Sequence, residues 1–80
     1  MKAKEMFEKL GYEVEYNNEE CLMYTKYVAF DDVDAGIEYK VMFDKKYKSI
    51  GSITYDMFMP IDWPELQAIN KQIEELGWNK

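Results

Sequence analysis

Cys21, Thr25, Ser49 and Ser52 are the side chains where nucleophilic chemistry would be sought first, and each would need a general base beside it. The chain contains no histidine, so that base would have to be a lysine or a carboxylate. Cys21 opens an apolar strand, the ordinary setting of a small packing residue rather than an activated thiolate. Adjacent acids occur at Glu19-Glu20, Asp31-Asp32 and Glu74-Glu75, on turns and an outer helical face where carboxylates are normally solvated charge. Around Asp31-Asp32-Val33-Asp34-Ala35-Gly36, a calcium loop with Gly36 at its sixth position would set Val33 and Ala35 at ligand positions, so the register fails. One cysteine without histidine cannot make a tetrahedral zinc site. No glycine-rich phosphate loop is present. The expectation is a non-enzymatic chain with no catalytic, metal or cofactor site.

Ten basic residues oppose sixteen acidic ones, giving a net charge of -6, and all ten are lysine. The absence of arginine removes the preferred bidentate reader of phosphate and guanine. Lys40, Lys45, Lys46 and Lys48 gather near one hairpin with Tyr39 and Tyr47 between them. At this net charge such a tip has weak phosphate affinity and serves better to blunt a sheet end against edge pairing. Nucleic acid is therefore a disfavoured partner. The converse reading, an acidic inhibitor that imitates DNA for a host nucleic-acid enzyme, stands as the alternative, although the acids form no long regular row.

The elements that would position any site are legible from periodicity. Ala3, Met6, Phe7 and Leu10 share one helical face, and Gly11 stands at the left-handed capping position with Tyr12 folding back on Phe7. Tyr12, Val14 and Tyr16 then alternate with acids, which predicts a short strand before a turn at 17–20. Cys21 to Phe30 and Ile37 to Asp44 are the two long strands, and Ser49 to Phe58 predicts a last one with Ile53, Tyr55 and Met57 inward. Asp62 followed by Glu65 is a capping-box pattern, Pro64 suits a first turn, and Ile61 can staple to Leu66. Leu66, Ile69, Ile73 and Leu76 form the next apolar stripe, closed by Gly77 with Trp78 returning to Ile73.

This order predicts an α+β fold over residues 1–80 as a single domain. An antiparallel sheet of three to four strands carries the N- and C-terminal helices on one face, in αββ(β)βα order. With 48% hydrophobic and 16% aromatic residues the chain is rich enough in apolar surface to fold. A lone cysteine excludes an intramolecular disulfide, and no uninterrupted apolar stretch has the length of a signal-peptide core or a membrane span, so the chain reads as cytoplasmic.

Residues Glu5 to Glu13 and Glu65 to Trp78 resemble the ends of small uncharacterised proteins encoded by phages and prophages of low-GC Gram-positive bacteria. The resemblance covers the two terminal helices, implies no activity and carries over no site residues. The all-lysine basic set fits an AT-rich genome.

A helical cover on one side leaves the other side of the sheet open. If Ile37, Tyr39, Val41 and Phe43, with Leu22, Tyr24, Val28 and Phe30, point to the core, then Met23, Tyr27 and Met42 share the outer face with Glu38 and Lys40. Methionine with an aromatic on a half-polar surface suits adaptable recognition. Met23, Tyr27 and Met42 are thus the candidate partner-binding residues, for a protein partner or for self-association.

Overall fold

The computed structural model describes residues 1–31, 34–53 and 61–79. Helix α1 spans Ala3–Lys9, strands β1 to β4 span Glu13–Asn17, Cys21–Ala29, Gly36–Asp44 and Ser49–Ile53, and helix α2 spans Trp63–Leu76. The strands form one antiparallel sheet in the order β1-β2-β3-β4, so each pairs with its neighbour in sequence. This is the α+β fold expected, with four strands.

Both helices end in the predicted closure. Gly11 and Gly77 lie at φ 94° and 76°. Tyr12 N–H donates to the Phe7 carbonyl at 3.0 Å and Trp78 N–H to the Ile73 carbonyl at 3.2 Å, the long bond of the Schellman motif in each case. At the start of α2, Asp62 accepts from Glu65 N–H at 3.3 Å. α1 has no side-chain cap of its own; instead Glu75 of α2 accepts from Ala3 N–H at 2.7 Å. The first helix therefore has one of its unsatisfied donors capped by the last.

The core lies between the helices and one face of the sheet. Phe7, Tyr12, Leu22, Tyr24, Val41, Phe43, Ala68 and Ile69 form its buried cluster. Phe7 stacks on Tyr24 with ring centroids 4.0 Å apart and meets Tyr12 edge-on at 5.5 Å. Leu22 pairs with Phe43 and Tyr24 with Val41, so the even residues of β2 and the odd residues of β3 face the helices.

α2 is rotated from the stripe that its apolar residues suggest. Glu65, Ala68, Ile69 and Gln72 are buried, whereas Leu66 is 39% exposed and Ile61, its expected staple, is exposed as well. The cause is a pair of hydrogen bonds that make two polar positions suitable for burial. Tyr12 OH donates to Glu65 Oε2 at 2.9 Å, and Tyr24 OH donates to Gln72 Oε1 at 2.6 Å. Glu65 is thus drawn inward to the tyrosine, leaving the capping box with only its Asp62 half. Burial, then the hydrogen bond to Glu65, raises the Tyr12 pKa well above that of a free phenol. Burial, then the charges of Glu75 and Glu8, pushes Tyr24 up to about 12.

Two further expectations are corrected. A bulge between Val14 and Tyr16 shifts the register, so Val14 pairs with Tyr24 but Tyr16 pairs with Met23. An extra residue in one strand breaks the alternation, and Tyr16 leaves the parity of Tyr12 and Val14 for the outer face. On β4, Ile50 pairs with Phe43, Ser52 with Val41 and Ile53 with Lys40; the inward placement expected of the Ile53 side chain lies outside what the structure describes. Tyr55, Met57 and Phe58 lie outside the described residues, as do Asp32 and Val33 of the acidic loop. Finally, Val28 and Phe30 have the helix-facing parity but are 44% and 46% exposed, and Ile37 is half-buried. Neither helix reaches that end of the β2–β3 ribbon closely enough to bury them.

Candidate partner-binding face

The outer face of the sheet is built by the pleat, since every residue adjacent to a core position must point away from the helices. Its central row crosses all four strands: Tyr16 stands opposite Met23, Met23 opposite Met42, and Met42 opposite Gly51. Tyr16 is exposed and both methionines are half-buried. Gly51 ends the row without a side chain, and among the described residues a Cβ there would meet nothing within 4 Å. The row therefore offers two flexible thioethers between an aromatic and a glycine.

One step along the strands the face becomes polar. Thr25 pairs with Lys40, whose Nζ bonds both carboxylate oxygens of Glu15 at 3.1 and 3.0 Å and lies 3.2 Å from Glu38 Oε1. The hydrogen bond to Glu15, then that to Glu38, raises the Lys40 pKa. Beyond this strip comes Tyr27, opposite Glu38 and 61% exposed. Its ring lies over Gly36, where a Cβ would come within 2.5 Å of the ring Cζ. Glycine is required there by close approach.

Met23, Tyr27 and Met42 thus all lie on the outer face, but they are not one cluster. Met23 and Met42 are direct cross-strand partners, while Tyr27 stands about 13 Å from Met23 along β2, past the Thr25–Lys40 strip. Alternation assigns Tyr16 to the core, and only the bulge brings it to Met23.

The charged groups near the candidate nucleophiles and at the hairpin are held by local contacts. Asp44 stands opposite Cys21 and Ser49, but its Oδ1 accepts the amides of Lys46 and Tyr47 at 3.0 Å each and holds the hairpin turn. Of the hairpin lysines, Lys45 bonds Asn17 Oδ1 and the Asn18 carbonyl, and Lys46 sits 5.2 Å over the Tyr47 ring. Neither is aimed at a common phosphate position. Among the described residues no group of three or more Cys, Asp or Glu could hold a metal ion. Searches of family models, curated proteins and solved structures found no match. Among the described residues no helix is long and apolar enough to cross a membrane.

Proposed function

We propose that the chain is a small non-enzymatic protein-binding module, an accessory protein of phage or prophage origin, that recognises a protein partner through the outer face of its sheet. The observation that carries this reading is the Tyr16–Met23–Met42–Gly51 row: an apolar strip on the side away from both helices, with a glycine at one end. Methionine adapts its shape to a partner at low cost, and an aromatic beside it adds contact area. The Lys40 ammonium is already paired with Glu15 and Glu38, which leaves the strip with one net negative charge, so it fixes orientation rather than attracting a highly charged ligand. The resemblance of the terminal helices to phage-encoded proteins supports the assignment of origin.

Replacing Met23, Tyr27 and Met42 together by Ser, Thr and Thr tests the face. Partner capture should fall while the cooperative unfolding transition remains. Loss of folding would show that these residues carry the core instead. The competing reading, an acidic inhibitor of a nucleic-acid enzyme, predicts affinity that collapses as salt rises, whereas binding through the methionine row should change little.

A further inference from the structure

Six methionines and one cysteine carry the chain's sulfur, and the register of β2 with β3 gathers three of these residues on one patch of the outer face. They are Cys21, Met23 and Met42. Phe30 N–H donates to the Ala35 carbonyl and Lys45 N–H to the Glu20 carbonyl, so residues with the parity of Glu20 and Phe30 exchange the ladder bonds with β3. Met23 and Met42 therefore form a non-hydrogen-bonded pair. In such a pair the Cα atoms stand about 4.5 Å apart and the side chains approach more closely than in a hydrogen-bonded pair. Cys21 precedes Met23 by two residues and so faces the same side, diagonally from Met42 at roughly 7–8 Å, within reach of a long side chain.

Those spacings suit a single ion. Three sulfurs each about 2.3 Å from a metal stand roughly 4 Å from one another, a separation that the rotatable bonds of two methionines can reach from this backbone. The donor set then selects the ion. A thiolate with two thioethers is soft, which disfavours calcium and magnesium and favours monovalent copper. A zinc site fails in this chain for want of histidine and a second cysteine, but neither is needed by an ion that accepts thioethers. Charge agrees with this choice. Cys21 is a free thiol, all three residues are half-buried, and a thiolate with a monovalent cation sums to zero, as a partly desolvated position favours.

We infer that Cys21, Met23 and Met42 form a binding site for one monovalent copper ion, a three-coordinate centre of one thiolate and two thioethers. The cysteine alone does not make it; the thioether pair beside it does. Asp44, opposite Cys21, is a hard donor whose Oδ1 is held by the turn amides of Lys46 and Tyr47, so it stays outside the coordination. Two of the three residues also belong to the proposed partner-binding face. The site stands without that reading, because metal binding is measured on the chain alone.

Anaerobic titration of Cu(I) into the full chain, in competition with the chromogenic chelator bicinchoninate, tests the site. The native chain should withdraw one ion per chain. Met23→Leu and Met42→Leu, which nearly conserve volume, should each weaken retention about tenfold or more, and Cys21→Ser should abolish it. Ag(I), a redox-inert stand-in, should shift the ε-methyl resonances of Met23 and Met42 in NMR spectra of the native chain and leave that of Met6, packed against the core, in place. These spectra decide the matter even where a variant fails to fold. Native affinity in both leucine variants would mean a thiol holding an adventitious ion only, and would overturn the proposal. So would unmoved Met23 and Met42 methyls, one ion shared between two chains, or displacement of Cu(I) by equimolar Zn(II).

Discussion

The two halves of the β2–β3 ribbon have the same alternation and similar side chains but opposite fates. In the half toward Cys21, Leu22, Tyr24, Val41 and Phe43 are buried; in the half toward Phe30, Val28 and Phe30 occupy the same parity and remain nearly half exposed. The difference is one of cover. The nine residues of β2 reach about 30 Å, whereas the seven of α1 reach about 10 Å and the fourteen of α2 about 21 Å. Alternation determines which way a side chain points, but burial also requires a second layer long enough to lie over it.

The largest test of this contrast is a matched pair of truncations. Phe43→Ala should cost about 3–5 kcal/mol in urea denaturation, because it empties a site with no solvent access. Phe30→Ala should cost less than about 1 kcal/mol. Comparable losses would mean that the ribbon tip is core after all. The polar contacts holding α2 come next. Tyr12→Phe removes the hydroxyl that donates to buried Glu65 and should cost about 1–3 kcal/mol. Combining it with Glu65→Leu should recover part of that loss, since neither partner is then left unpaired. No recovery would show that the pair matters for packing alone.

Glycine substitutions sharpen the comparison within the exposed half. Gly36→Ala should cost about 1–3 kcal/mol even there, because the new Cβ would meet both the Tyr27 ring and the Val28 carbonyl at 2.5 Å. Gly77→Ala meets no neighbour and should cost about 1 kcal/mol from its backbone conformation alone. Equal effects in thermal melts would remove the assigned Tyr27–Gly36 contact. The smallest expected effect is the pH dependence contributed by a buried tyrosine of the covered half. Tyr24 has a folded pKa raised above its unfolded value near 10, so its contribution is complete below pH 10 and is lost as pH rises toward about 12. Tyr24→Phe should reduce the decline in stability between about pH 10 and 12 relative to the native chain.

Much of this architecture is legible in the sequence because it rests on local chemistry. Gly11 and Gly77 announce their caps, and the alternation in β2 and β3 places Met23, Tyr27 and Met42 on the outer face. What escapes is non-local. The bulge at Val14 and Tyr16 depends on how β1 meets β2, and nothing in the residues of β1 marks it. Glu65 and Gln72 look like solvent-facing positions until Tyr12 and Tyr24, distant in sequence, supply their hydrogen bonds. The exposure of Val28 and Phe30 depends on the lengths of two helices that lie elsewhere in the chain. The candidate face was therefore readable as a face, but its central row was not, since Tyr16 joins it through the bulge.

The bond from Ala3 N–H to Glu75 spans 72 residues, and it has a consequence for how the protein is made. Phe7, Tyr24 and Phe43 are all translated before α2 exists to cover them. A nascent chain can assemble the sheet hairpin by hairpin, but it cannot close its core until residue 75 has been added. Until then its aromatic interior is available to chaperones, and a ribosome stalled before α2 would display the surface that the finished protein hides.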